Sequence, residues 1–181
     1  MLPILGELQP VFAIERPDLL AEPVRAALEQ WPHATQVGVV EIDPALADTA
    51  AMTSAYGVAL SVSANCVVVM GRRGGEERMA ACVVRADQRV DVNNAVKRLL
   101  DVRKASFLPM ERAVGETAME YGGITPVGLP GGWRLLITAE VLDIDRAIIG
   151  SGVRRSKLVL PGALLADLPG AEVVNSMTLP V

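Results

Sequence analysis

The chain has 181 residues, 51% of them apolar and 21% charged, with a net charge of −4; it is long enough to bury one domain's core and too apolar for a disordered chain. Only 3% of residues are aromatic, so Val, Leu, Ile, Ala and Met must build that core, and the scarcity argues against stacking platforms for single-stranded nucleic acid. The isoelectric point near 5.1 excludes polyanion binding by bulk charge, leaving only a local basic patch for any nucleic-acid contact.

No basic stretch opens the chain, and Pro3, Gly6 and Pro10 interrupt its start, so no signal peptide is expected. Leu19, Leu20, Val24, Ala27 and Leu28 recur at helical spacing and predict a helix over 18–30, with Asp18 as its cap or in its first turn. Trp31-Pro32-His33 reads as a turn carrying the chain's one histidine at the surface. Residues 36–42 are Val-rich and predict a strand; Asp43-Pro44 breaks it, and 45–56 predict a helix stopping at Gly57.

Thr49 to Gly71 holds no charge, a length that could span a bilayer. Thr49, Thr53, Ser54, Ser61, Ser63 and Asn65 fall within it and Gly57 divides it, so a buried helix, a turn and a buried strand are expected, and no membrane segment. Residues 64–70 and 78–85 predict a β-hairpin around a turn at 71–75. A helix over 91–100, a strand over 104–108 and a helix over 110–119 follow. Beyond the loop at 122–132 come strands near 133–137, 147–149 and 158–161, and a short helix over 163–168. Interleaved helices and strands with a hairpin predict an α+β fold on a mixed sheet, in a single domain.

Cys66 and Cys82 are too few and too far apart for a disulfide framework or a zinc motif. They read as small core residues, which fits a reducing cytoplasm. One histidine leaves no His-rich metal site. Two glycine-rich segments are the informative ones. In Gly122-Gly123-Ile124-Thr125-Pro126-Val127-Gly128, glycines bring main-chain N–H groups close to a ligand and Pro126 stiffens the loop. Such a loop suits an oxyanion-type site for a carbonyl or carboxylate; a plain surface turn is the alternative. It is neither a Walker loop nor a Rossmann fingerprint. In Gly150-Ser151-Gly152, followed by Arg154, Arg155 and Lys157, small residues and cations suit an anion; a solvated turn is the alternative.

Taken in order, Gly57-Val58, Ser63-Ala64-Asn65-Cys66, Val83-Val84, Arg103-Lys104, the Gly122–Gly128 loop and Gly150-Ser151-Gly152 with Arg154 resemble the YbaK family of aminoacyl-tRNA editing domains, also found in or beside prolyl-tRNA synthetase. The resemblance spans about 48–168. It divides the chain into 1–44, an N-terminal extension or variant start, and 45–170, the editing domain. It implies a mixed, partly curved sheet surrounded by helices, with a pocket beside the glycine loop.

The implied activity is that of an aminoacyl-tRNA deacylase, hydrolysing the ester of a mischarged tRNA in trans, with no cofactor and no metal. The implied partner is the aminoacyl-tRNA 3′ end, with no DNA and no membrane, for a cytoplasmic monomer or homodimer. Gly122, Gly123, Pro126 and Gly128 are expected to clamp the substrate carbonyl while water attacks with help from the tRNA's own ribose hydroxyl, and Asn65 to act as a neutral positioning group. Ala64, Cys66, Thr125, Gly150, Ser151, Gly152 and Arg154 are expected to line the substrate site. The family's lysine at the start of the first hairpin strand is replaced by Ala64, and acids it carries elsewhere by Thr138 and Lys157. A module that binds a small amino-acid-like ligand or a protein without catalysis is therefore the alternative reading.

Overall fold

The computed structural model describes residues 5–180. In chain order, β1 (Val11–Phe12), α1 (Glu22–Gln30) and β2 (Gly38–Glu41) lead to α2 (Thr49–Ala55) and the paired β3 (Ala64–Arg73) and β4 (Glu76–Arg85). Then come β5 (Gln88–Val90), a π turn over Val92–Val96 running into α3 (Lys97–Leu99), β6 (Ala105–Phe107) and α4 (Met110–Thr117). The last elements are β7 (Arg134–Thr138), α5 (Ala139–Leu142), β8 (Ala147–Gly150), β9 (Ser156–Leu160), β10 (Ala171–Val174) and β11 (Thr178–Pro180).

The expected α+β fold with mixed pairing is what forms. A five-stranded sheet runs β10-β7-β4-β3-β6, and a four-stranded sheet runs β1-β2-β9-β8. In the first, β10, β7 and β4 are parallel neighbours while β3 pairs antiparallel with β4 and β6. A parallel bridge between Ser63 and Ile148 joins the two sheets where β3 begins. The largest core fills the space between them with Val83, Ile137, Ile149, Leu158 and Leu160, together with Val24 and Leu28 of α1. Residues 11–41 are thus woven into the same fold, since β2 lies between β1 and β9 and α1 packs on the shared core.

Several boundaries move for local reasons. The first helix starts at Glu22, not at residue 18: Pro23 has no N–H to give and suits the first turn, and Leu20 ahead of it is extended. Asp18 caps nothing; its carboxylate takes the Arg16 guanidinium at 2.8 Å. The helix expected over 45–56 is split because Asp48 accepts from the N–H groups of Ala50 and Ala51, capping α2 and leaving Pro44–Leu46 as a separate 3-10 turn. The hairpin turn shrinks from five residues to Gly74-Gly75, whose φ of 58° and 86° supply the positive pair a two-residue connection needs. Its strands therefore reach Arg73 and Glu76.

Short elements leave no trace in the sequence pattern: α5, the β5–β11 pair and β10 are three or four residues each, too short for a periodic signal. The strand expected at 158–161 begins instead at Ser156, which draws Lys157 out of the supposed solvated turn and into a buried strand.

Candidate functional site

β3 begins with Ala64, Asn65 and Cys66, and period-two alternation divides them. Ala64 and Cys66 join the large core between the sheets, while Val67 turns to a second core with Val69 and Cys82. Above this strand start lies a cavity of about 680 Å³. Its walls come from α2 and the residues before it (Asp48, Thr49), from β3 (Ala64, Asn65, Cys66), from the glycine loop (Tyr121, Gly122, Ile124) and from β8 and β9 (Gly150, Lys157).

The two glycine motifs meet here, some thirty residues apart in sequence. The Gly152 N–H donates to the Gly123 carbonyl at 2.8 Å, the Glu120 N–H to the Gly152 carbonyl at 2.8 Å, and the Gly123 N–H to the Glu120 carbonyl at 2.9 Å. Gly150 is where this close approach requires glycine: a Cβ would stand 2.4 Å from the Gly123 carbonyl oxygen and 2.6 Å from that of Ile124. Gly122 turns the chain at φ +87° beside the Arg154 guanidinium. Among the described residues, the main-chain N–H groups of Tyr121, Gly122 and Ile124 have no acceptor in the protein. Three free donors along one cavity wall are the raw material of an anion or carbonyl site.

The other expected site residues are distributed as follows. Gly123 is buried, its N–H committed as above and its α-carbon against the Val153 backbone. Pro126 and Gly128 lie on a separate cavity of about 520 Å³ bounded by Trp31 and Trp133, and Gly128 meets the Pro23 carbonyl of α1. Thr125 is fully buried, its hydroxyl without a partner among the described residues. Ser151 bonds the Ser156 hydroxyl at 2.7 Å and its carbonyl at 3.0 Å, a buried tie within the β8–β9 turn. Gly152 packs against Ala21 and Val24. Arg154 spans from the glycine loop to the segment before α2, donating to the Tyr121 carbonyl at 3.4 Å and the Pro44 carbonyl at 3.0 Å. Asn65 is half-buried in the cavity wall, and its carboxamide oxygen accepts from the Thr49 hydroxyl at 2.8 Å, which leaves its NH₂ group free to donate.

Cys66 lines the cavity, but apolar burial pushes its thiol up, and Cys82 likewise to about 12. Both stay protonated and are poor nucleophiles. Among the described residues, no group of three His, Cys, Asp or Glu side chains is placed to hold a metal ion, and no helix is long and apolar enough to cross a membrane.

Lys157 is the residue whose importance the sequence hid. Flanked by Arg154 and Arg155, it reads as one more solvated cation. In β9 it is only 5% exposed, reaches the cavity wall, and donates from Nζ to the Ala47 carbonyl at 2.8 Å. Desolvation lowers its pKa from 10.5 to about 8, against the opposing pull of the Asp48 carboxylate and with a small push from Arg154. One of its three N–H donors is used by the protein, and the other two have no partner among the described residues. Its placement was legible only in the Leu158-Val159-Leu160 run that it directly precedes.

The hairpin cations do not border this site. Arg72 pairs with Glu77 at 2.7 Å and Arg78 with Asp101 at 3.0 Å, and Arg73 also pairs with Asp101. Arg72 stands four residues, about 13 Å, beyond Val68, the last β3 residue on the cavity.

The cavity thus lies at the start of a hairpin strand, walled by two interlocked glycine turns in an α+β fold. The aminoacyl-tRNA editing domain family matches residues 43–168, and the chain belongs to it; its function is that of an aminoacyl-tRNA deacylase-like protein. Among solved structures, it is similar to a candidate trans-editing enzyme for prolyl-tRNA synthetase, with a TM-score of 0.73 and 21% identity over 86% of this chain and 94% of the other. A hypothetical protein matches with a TM-score of 0.70 and 22% identity over 81% and 96%. A scaffold computationally designed to present linear epitopes matches at 0.73 and 21% over 86% and 95%. At such identities these likenesses establish the fold. No curated protein matches the sequence.

Proposed function

We propose that this protein removes the amino acid from a mischarged tRNA in trans, by hydrolysis of the ester at the tRNA 3′ end. The observation that carries the reading is the run of free main-chain donors at Tyr121, Gly122 and Ile124, set on the same cavity as the buried ammonium of Lys157. Water attacks the ester carbonyl carbon, the bond to the ribose oxygen breaks, and the products are the free amino acid and a tRNA with its hydroxyl restored. Negative charge gathers on the carbonyl oxygen during attack, and fixed donors with a desolvated cation stabilise it most where water is excluded.

Lys157 is the register partner of Gly150, which itself abuts the glycine loop, so its charge enters the cavity from the strand behind the clamp. It offers a cation where the family's lysine is replaced by Ala64, a residue only 5% exposed within the core. Asn65, held by Thr49, presents its NH₂ group to the substrate's polar atoms. No nucleophilic side chain is required, in keeping with the protonated Cys66. A panel of mischarged tRNAs, incubated with substoichiometric protein, tests the reading: release of amino acid over several turnovers supports it, and binding without release would favour the non-catalytic module.

A further inference from the structure

The cavity has a neighbour. A second cleft of about 730 Å³ lies over the Asn65–Val67 face of β3 and shares Asn65, Val67 and Phe107 with the first. Phe107, the last residue of β6, stands between them and is 60% exposed. The chain has six aromatic residues. Only Phe107 and Tyr121, the latter 58% exposed, stand well out into solvent, and both line the first cavity. The scarcity of aromatics therefore conceals their placement.

The second cleft also carries two cations without an acidic partner among the described residues. The hairpin arginines are all tied to carboxylates, but Arg89 and Lys104, on this cleft, form no ion pair among the described residues. The one acid on its wall, Asp91, is occupied in capping, accepting from the N–H groups of Asn94 and Ala95. Two free cations and an exposed aromatic face suit a nucleotide: its phosphates and its base plane in turn.

We propose that this second cleft seats the penultimate nucleotide of the tRNA 3′ end. Phe107 is the platform between it and the terminal nucleotide, and Arg89 and Lys104 meet the phosphates. This seating rests on the deacylase reading, which places the terminal nucleotide's ester in the first cavity.

The test pairs two substrates carrying the same amino acid: a mischarged tRNA, and the 3′-aminoacyl ester of adenosine alone. Arg89→Ala with Lys104→Ala, both on exposed side chains, should raise KM for the tRNA about tenfold and leave hydrolysis of aminoacyl-adenosine within twofold. The slope of log KM against log salt should fall by about 1.4, the loss of two single-strand phosphate contacts. Phe107→Ala should weaken binding of an uncharged CCA-ended oligonucleotide about tenfold in fluorescence anisotropy. Equal effects on both substrates, or no effect on the tRNA, would overturn the second cleft while leaving the deacylase reading intact. If the wild-type protein hydrolyses neither ester, the deacylase reading fails and the proposal goes with it.

Discussion

Lys157→Met separates what a residue does for the fold from what it does in the cavity. Methionine matches the length and shape of the lysine stem but brings no charge. In the folded protein the ammonium titrates near 8 instead of 10.5, a difference worth about 3 kcal/mol at 1.36 kcal/mol per pH unit. At neutral pH both folded and unfolded chains hold the proton, so the full desolvation cost is present. As pH rises through 8 the folded state gives up the proton before the unfolded chain does, the unfolded chain then binds more protons, and stability rises until about 10.5.

Methionine removes this cost and leaves the buried Ala47 carbonyl unpaired, a loss of about 1–3 kcal/mol. The variant should thus be as stable as the wild type at pH 7, or more stable by up to about 2 kcal/mol. That margin corresponds to a rise in Tm of several degrees for a chain of this size. Between pH 7 and pH 10 the wild type should gain about 2.5 kcal/mol on the variant in urea titrations. Hydrolysis of mischarged tRNA should meanwhile fall by tenfold or more, a trade of activity for stability. In the wild type, the enzyme-dependent rate should decline as pH rises through about 8. A variant destabilised by more than 2 kcal/mol at every pH, with unchanged turnover, would show that Lys157 is a structural lysine and refute the reasoning.

Asp48→Asn keeps the α2 cap but removes the carboxylate that holds the Lys157 pKa up, so the alkaline limb of the rate profile should move to lower pH; an unmoved limb would detach that limb from Lys157. Gly122→Ala forces a side chain into φ +87° against a guanidinium that can swing aside. It should cost about 1–2 kcal/mol of stability by chemical denaturation and lower hydrolysis at least tenfold; undiminished turnover would remove Gly122 from the clamp. Thr49→Val frees the Asn65 carboxamide from its 2.8 Å bond and should raise KM several-fold with kcat little changed, as steady-state kinetics would show. A loss confined to kcat would contradict a positioning role for Asn65.

The sequence revealed the long elements and the motifs, because those signals are local. The hairpin was legible from two Val-rich runs around glycines, and α4 and the helix after Asp91 from their periodicity. What it could not reveal was which motif residues face a common space. Gly122 and Gly150 come together on one cavity, while Pro126 and Gly128, within the same loop motif, face another beside Trp31. The difference is made by α1, which packs its Pro23 carbonyl against Gly128, a contact between residues over a hundred positions apart.

Lys157 was hidden for a similar reason. Strand pairing of β9 with both β2 and β8 buries it, and no window around Arg154-Arg155-Ser156-Lys157 reports that pairing. Phe107 and Tyr121 were likewise invisible as a pair, since composition counts aromatics without saying where they stand.

The central claim is that the free donors of the glycine turn and the buried ammonium act together on an ester carbonyl. Its most direct measurement is multiple-turnover deacylation of a mischarged tRNA by the wild type, Gly122→Ala, Lys157→Met and the double variant, each shown to be folded by a cooperative melt. The account predicts turnover by the wild type, a loss of at least tenfold in each single variant, and a double variant that falls short of the product of the two losses because both groups stabilise one developing charge. Full activity in either folded single variant would contradict it.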